Sequence, residues 1–447
     1  MRLSGWGGNP ALACDVYRPE ALAEVEDLIG SAPSPSLISR GMGRSYGDAS
    51  LNENAGVVLH ERLNRFISFD SESHILHCEA GVTLSEIIDH LLPLGYFLPI
   101  TPGTKQISLG GAIAADVHGK NHHKDGTIST QVLDFRLLTA GGEILPCSRT
   151  ENADLFWATL GGMGLTGVVL DTRLRLRPVE TAYLHAGTKR CRDLDATLAE
   201  ITEHDRDYAY AVAWVDCLAR GRSLGRSVLL RANHATRADL PPTLSGSPYS
   251  IRQATRPSVP FPLPGFVLNR ISMRLVNSAY YFAHSSGGGL VDYQRYFYPL
   301  DAIGHWNRIY GRRGVLQYQL VLPLESSQRG LQEIMELVTA SGWASFLAVI
   351  KSTGPANPGP LSFPLEGTSL ALDFPNRGAP LHSLLAKMDR VVLRHGGRTY
   401  LAKDSTLAPD TFREMYPRLD EFLAVKQKFD PEVRFSSSLS RRLGIGE

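Results

Sequence analysis

Charge of one sign is what this sequence most lacks. Across 447 residues, 46 lysines and arginines stand against 45 aspartates and glutamates, a formal net charge of +1. Proteins that bind nucleic acid by counterion release are strongly basic, so no nucleic-acid partner is expected. Cysteine is also scarce. Cys14, Cys78, Cys147, Cys191 and Cys217 are scattered, with no Cys-x-x-Cys pair and no metal-type spacing. Neither a disulfide scaffold nor a zinc site is expected, and free thiols in a reducing compartment follow. No apolar run approaches the roughly 18 residues of a membrane-spanning helix. Residues 1–10 are Gly-rich and lack the positive and apolar regions of a signal peptide. The expected location is the cytoplasm, with peripheral contact at the inner membrane as a further option. No internal repeat or low-complexity tract is evident.

What is present is an ordinary globular composition, 43% hydrophobic and 20% charged, in a chain too long for one core, so two domains are expected. Leu22, Val25, Leu28 and Ile29 follow Pro19 at helical spacing and predict a helix over 20–29. Short strands are predicted at 37–38, 57–60, 66–69 and 74–79. Thr83 and Glu86 form a capping box for a helix through about 92, ended by Pro93 and Gly95. Strand patterns continue at 132–139, 143–146 and 167–177. Near Pro178 glycine loops thin out and aromatics increase, with strand-like runs at 316–322 and 346–351, so a boundary is expected near residue 180. The stretch 261–282 is apolar, including Phe261, Phe266, Ile271, Met273, Leu275, Val276 and Phe282, and is punctuated by Arg270 and Arg274. It suits a mobile flap or a surface touching lipid. Equally, it suits a domain core with two snorkelling arginines.

Two glycine segments carry the chemistry. Backbone N–H groups hold a diphosphate well, and glycine lets several of them point at one anion. Arg40-Gly-Met-Gly-Arg-Ser-Tyr-Gly-Asp48 supplies three glycines, two hydroxyls and two arginines directly after a strand. It is neither the Gly-x-Gly-x-x-Gly of a Rossmann site nor a P-loop, and alone it is equally a plain glycine turn. The second segment, 102–119, is crowded with small residues: Ser108, Gly110, Gly111, Ala112, Ala114 and Ala115. A large flat ligand against backbone accounts for that crowding; tight helix–strand packing is the competing reading.

Together the segments are specific. Arg-Gly-x-Gly-x-Ser, then Pro102-Gly-Thr104, then Gly110-Gly-Ala-Ile-Ala-x-Asp-x-His-Gly119 resembles the FAD-binding domain of the vanillyl-alcohol oxidase/PCMH superfamily. Gly43-Arg-Ser-Tyr-Gly-Asp48 with His118-Gly-Lys-Asn-His-His123 is similar, within it, to the 2'-oxidases of lipid-linked pentoses. That similarity extends through 155–167 and 306–311, Leu316-Gln-Tyr-Gln319, Leu361-Ser-Phe-Pro364 and Tyr400-Leu-Ala-Lys-Asp-Ser405, nearly the whole chain.

The resemblance implies an α+β fold: a PCMH-type two-subdomain FAD-binding domain over 1–182, an antiparallel-sheet substrate (cap) domain over 183–397, and a segment 398–447 returning to the first. It implies that FAD is bound by Arg40, Gly41, Met42, Gly43, Arg44, Ser45, Tyr46 and Gly47. From the second segment it implies Gly103, Ser108, Leu109, Gly110, Gly111, Ala115, Asp116, Val117 and His118, joined by Val169 and Tyr400. Many members tether the flavin through a histidine at the position of Arg44; with arginine there, dissociable FAD is expected.

Oxidising a secondary alcohol with a flavin requires a hydride acceptor and a group that takes the hydroxyl proton. By resemblance Lys403 is the lysine at the reacting hydroxyl and His118 lies beside the flavin ring. Lys120, Gln317, Gln319, Lys351 and Tyr46 correspond to substrate-pocket residues. His118, His122 and His123 approach a metal pattern, yet no carboxylate or cysteine completes it and Gly119 argues against a shared helix, so no metal is expected. Relatives carry at Ala371 a cysteine that nitroaromatic suicide inhibitors attack and turnover does not need; alanine predicts normal catalysis without covalent capture. It also leaves the exact lipid and pentose open. The implied reaction is oxidation of the 2'-hydroxyl of a polyprenyl-phosphoryl β-D-ribose, with an NAD(P)H-dependent short-chain reductase as partner to complete epimerisation toward cell-envelope arabinose. A soluble alditol or aldonolactone oxidase is the alternative, and a non-catalytic flavin- or lipid-binding subunit a third.

Overall fold

The computed structural model describes every residue except 253–256, 266, 285, 344, 346 and 447. Phe266 and Phe346, counted above in apolar runs, lie outside the described residues.

The chain opens on a small parallel sheet in which Gly56–Leu59 lies between Asp15–Tyr17 and Leu37–Arg40. The crossover helix Leu22–Ser31 turns Val25 and Ile29, one helical turn apart, onto Leu37, Val58 and Phe435. It runs two residues past the predicted end because the first stop is Pro33, which forces Ala32 out of the helical region. Strand Leu37–Arg40 ends where the first glycine segment begins.

An antiparallel sheet follows, in the order Ile144–Ser148, Val132–Leu138, Val168–Arg175, Ile75–Glu79, Phe66–Asp70. The predicted capping box is present: Thr83 Oγ1 accepts from the Glu86 N–H at 3.1 Å, and the Glu86 carboxylate accepts from the Thr83 N–H at 2.7 Å. It starts helix Leu84–Leu91, and Gly95, at φ +89°, ends the turn that follows.

The third sheet has eight strands, all antiparallel: Gly287–Asp292, Tyr183–Cys191, Ser227–His234, Tyr210–Val215, Ala348–Thr353, Gly367–Pro375, Val315–Pro323 and Arg398–Thr399. Its last strand falls just beyond residue 397. Strand Gly367–Pro375 is buried at every position. Because side chains alternate, Leu370, Leu372 and Phe374 share one face while Ser369, Ala371 and Asp373 share the other. Helices Leu324–Ser341 and Ala379–Arg394 pack against this sheet and each other. Burying an aliphatic or aromatic side chain of this kind stabilises by about 1.5–3 kcal/mol, so the polar face opposite must be held for another reason.

The apolar stretch is a loop followed by helix Arg270–Ala283, capped by the Asn269 side chain. Met273 points inward to a cluster with Tyr46, Trp306 and Tyr310. Ile271, Leu275 and Phe282 are exposed at 74%, 69% and 65%. The core reading therefore holds for Met273 alone of these four.

Candidate active site

The two glycine segments and the Lys403 segment touch one another. A Cβ on Gly41 would stand 1.9 Å from Ser108 Oγ, and one on Gly47 would stand 2.0 Å from the Asp404 carbonyl. Neither approach tolerates a side chain. The Tyr46 N–H donates to the Ala402 carbonyl at 3.0 Å. Gly43 adopts φ +60°, and its missing side chain leaves room for the Arg40 guanidinium, which donates to Ser4 O at 2.7 Å and Ser50 Oγ at 3.2 Å. Arg40 thus props the loop from behind.

Together they enclose a cavity of about 570 Å³. Gly41, Met42, Gly43, Arg44, Ser45 and Tyr46 line it from the first segment. Gly103, Ser108, Gly110, Gly111, Ala115, Val117 and His118 line it from the second, and Val169 and Tyr400 complete that wall. Ser108 caps the short helix Leu109–Ala114, accepting from the Gly111 N–H at 3.3 Å. Both readings of the small residues hold, at different positions. Gly110 is packed so that a Cβ would lie 2.9 Å from the Ala80 methyl, whereas a Cβ on Gly103 would meet nothing within 4 Å.

Arg40, Gly47, Leu109, Asp116 and Lys120 do not line the cavity. Leu109 is in the core. Asp116 is fully buried, accepting from Asn357 Nδ2 at 2.5 Å and Ser362 Oγ at 2.5 Å, and it ties the end of the helix to the 357–362 loop. Lys120 donates to the Tyr296 carbonyl and lies 4.4 Å from the Tyr296 ring centre, so its amine faces the cap aromatics. Burial lowers that amine to about 7.

The polar face of the eight-stranded sheet supplies the remaining groups. Gln317, Gln319, Lys351 and Ala371 line the cavity. The register pairs Gln319 with Ala371 and Lys351 with Ser369, which puts them on one face. Gln319 Nε2 donates to His118 Nε2 at 3.0 Å. Burial, with Lys351 nearby, holds the His118 imidazole well below its usual range, so it is neutral. With Nε2 accepting, Nδ1 carries the proton, and that buried atom has no protein partner. The Tyr400 hydroxyl donates to Ala115 O at 2.7 Å and its ring stacks 4.7 Å from Phe363.

Lys403 Nζ rests 4.4 Å from the centre of the Tyr46 ring. Burial lowers Lys403 to about 8, and burial with Lys403 nearby lowers Lys351 to about 8. Both amines line the cavity, and each gives up its proton more readily than a solvated lysine. Arg44 donates to Gln106 O at 3.1 Å and lies 4.0 Å from the Trp6 ring centre. His122 Nδ1 accepts from the Gly354 N–H at 2.9 Å, and its short helix, His122–Asp125, begins only after Gly119, leaving His118 outside it. Among the described residues no cluster of three or more His, Cys, Asp or Glu could hold a metal.

Sequence reasoning missed Asp373, Trp6 and Asp301. Asp373 was detectable, standing two residues from Ala371 on the same strand face. Trp6 and Asp301 carry no sequence signal; Asp301 accepts from Thr104 Oγ1 and the Lys105 N–H, both at 3.0 Å, across nearly 200 positions.

The lining fits FAD: backbone without side chains at Gly41, Gly103 and Gly111, with the neutral His118 ring at the same cavity. Residues 15–148, which include both glycine segments, match the FAD binding domain family, and residues 374–443 match the D-arabinono-1,4-lactone oxidase family. The chain is 37% identical to decaprenylphosphoryl-beta-D-ribose oxidase of Mycolicibacterium smegmatis, covering 99% of this chain and 97% of that protein. It is 37% identical to an uncharacterised Streptomyces coelicolor protein over 81% of this chain and all of that one. It is 22% identical to L-gulono-1,4-lactone dehydrogenase of Mycobacterium tuberculosis over 98% of both. Whole-length identity of this order joins with the flavin-fitting cavity in one conclusion: the chain belongs to the decaprenylphosphoryl-beta-D-ribose oxidase family of FAD-dependent oxidoreductases.

Proposed function

We propose that this protein oxidises the 2'-hydroxyl of a polyprenyl-phosphoryl β-D-ribose to the 2'-keto sugar, with dissociable FAD as the acceptor. The observation that carries this reading is the convergence of Lys403, His118, Gln319 and Lys351 on the cavity that the glycine segments enclose. FAD held by the two glycine segments would supply the acceptor for the C2' hydrogen and its electron pair. The proton of the hydroxyl passes to the Lys403 amine, and the carbonyl forms as both leave. An amine lowered to about 8 is roughly one-tenth neutral at pH 7, which suffices for a base. His118, uncharged and held by Gln319, orients the hydroxyl without competing for its proton. Lys351, protonated for the most part below its shifted value, offers a cation to the phosphodiester. Lys120, whose amine lies over the Tyr296 ring outside the cavity, takes no part in this scheme. Arg44, engaged by Gln106 and Trp6, has no ring nitrogen to bond a flavin covalently.

The limits 1–182, 183–397 and 398–447 belong to this proposal, with cap-sheet groups facing the substrate. A keto product also calls for a separate NAD(P)H-dependent short-chain reductase to complete epimerisation. No described helix is long and apolar enough to cross a membrane. A lipid-linked substrate favours peripheral contact through Ile271, Leu275 and Phe282, whose helix packs by Met273 on the Trp306 cluster at the cavity wall. Pelleting with anionic vesicles, lost in Ile271→Ser/Leu275→Ser, tests that contact; unchanged pelleting refutes it.

The purified protein should be yellow, release FAD on acid precipitation and bleach anaerobically with a polyprenyl-phosphoryl ribose analogue. The D-arabinono-1,4-lactone oxidase match over 374–443 favours a second reading, an aldonolactone oxidase. Bleaching by galactonolactone and not by the lipid-linked sugar would establish it instead.

A further inference from the structure

Asp373 is a buried carboxylate on the cavity side of the sheet that the scheme above leaves unused. It lies opposite Gln317 in the strand register and is fully buried. Gln317 Nε2 donates to Asp373 Oδ1, and the Tyr310 hydroxyl donates to Oδ2 at 3.4 Å. The same Gln317 nitrogen reaches the Tyr46 hydroxyl at 3.3 Å, and Tyr46 is the ring beneath Lys403 Nζ. A continuous chain of contacts therefore runs from Asp373 through Gln317 and Tyr46 to Lys403. A buried carboxylate without a cation nearby is costly, and the cation that lies at the other end of this chain is the proton-accepting lysine.

We infer that Asp373 is a positioning residue for Lys403, fixing the Tyr46 ring through Gln317 and supplying the negative charge that balances the ammonium. The inference rests on the proposed role of Lys403. Burial raises Asp373 to about 6 and Lys403 opposes that rise; burial lowers Lys403 and Asp373 opposes that fall. The other groups facing the pair are Tyr46 and Arg44 on the first glycine segment, Tyr310 and Cys217 behind the carboxylate, Lys351 on the neighbouring strand, and His118. Of these groups and the pair itself, Asp373 is the one that bears negative charge at neutral pH. Deleting its charge leaves Lys403 among burial and cations, so the lysine gives up its proton at lower pH.

The test is single-turnover anaerobic bleaching of the FAD-loaded enzyme by the polyprenyl-phosphoryl ribose analogue, from about pH 6 to about pH 9. In Asp373→Asn the rising limb should move down by about one pH unit, and Asp373→Glu should return it toward the wild-type position. A limb that stays in place in Asp373→Asn overturns the inference. Where Asp373→Asn does not hold FAD, Gln317→Met cuts the link to Tyr46 and keeps the carboxylate. It should slow bleaching severalfold without moving the limb, and an unchanged rate overturns the inference. Lys403→Met at wild-type rate would refute the role of Lys403 itself, a separate failure.

Discussion

Gly47→Ala adds one methyl group at the tightest joint between the flavin-binding loop and the lysine segment. Its Cβ would stand 2.0 Å from the Asp404 carbonyl oxygen, and such contacts essentially never fall under 3.0 Å, so the two chains must part by at least about 1 Å. Gly47 is not in the left-handed region, so the cost is steric alone. Neither side yields freely. Asp404 is bonded by its N–H to Tyr400 O at 3.1 Å and by its carboxylate to Arg442 at 2.9 Å, while the loop is pinned by Tyr46 N–H to Ala402 O. Overpacking of this kind costs about 1–3 kcal/mol. Lys403 precedes Asp404 and moves with it, and a displacement near 1 Å at a reacting group costs about 100-fold in rate. Stopped-flow anaerobic bleaching, with FAD content from acid release and the thermal midpoint alongside, should show a rate lowered about 100-fold in protein that still holds FAD. Gly30→Ala is the matched control: nothing lies within 4 Å of its Cβ, and its helical position gains about 0.5–1 kcal/mol from alanine. Gly47→Ala with wild-type rate and stability would refute the close-approach argument.

Lys426, 2% exposed, donates to Leu165 O at 2.9 Å, Asp430 Oδ2 at 2.6 Å and Phe435 O at 2.8 Å. Lys426→Met strands the Asp430 carboxylate and should cost about 3–5 kcal/mol in urea unfolding; a loss under about 1 kcal/mol would contradict that. Tyr400→Phe removes the donor to Ala115 O and should weaken FAD retention on dilution, at about 1–3 kcal/mol; unaltered retention would contradict it. Stability should rise with pH between about 7 and 9. Burial lowers Lys120 to about 7 and Lys351 and Lys403 to about 8 from 10.5, so in this window the unfolded chain binds more protons and the cost of burying ammonium is progressively relieved. The gain should be on the order of 1 kcal/mol per lysine between pH 7 and pH 8.5, before ionising thiols, raised to about 12 in Cys78, Cys147 and Cys217, reverse the trend above pH 9. A urea midpoint that falls across the window would refute it.

Features whose physics is local were legible in the sequence. The capping box at Thr83 and Glu86 needs three residues of separation and nothing else. The glycine segments announced close approach, because only glycine or alanine lets backbones come so near. Features that depend on a partner far along the chain were not. Helix Arg270–Ala283 turns its apolar stripe of Ile271, Leu275 and Phe282 to the outside and Met273 inward, so an apolar stripe alone did not tell which face is buried. Lys120 follows His118 by two residues, yet its amine lies over Tyr296, about 180 positions on, and sequence proximity to the cavity gave it no place there. Alternation alone places Asp373 on the strand face of Ala371, but its link to Tyr46 appears only with the long-range pairing to Gln317.

The site divides by what holds each half. Lys403 is tied to the flavin-binding loop three times over: by the Tyr46 to Ala402 backbone bond, by the close approach of Gly47 to Asp404, and by Arg442. That guanidinium spans Asp48 at 2.8 Å and Asp404 at 2.9 Å, one carboxylate from each segment. Gln317, Gln319 and Lys351 ride instead on the eight-stranded sheet. The two halves meet through strand Arg398–Thr399, which pairs with Val321 and Leu320 and leads directly into the lysine segment. The lysine proposed as the base is therefore fixed to the cofactor loop by contacts that do not pass through the cap sheet. The cap sheet still reaches that lysine through Asp373, Gln317 and Tyr46, so alteration at Asp373 should shift its titration and alteration at Gln317 its rate, whereas alteration at Lys351 should act on how the sugar is held. In the proposed scheme the proton and hydride part at the loop and the lysine, while the polar face of one sheet holds the sugar and, through Asp373, tunes the base.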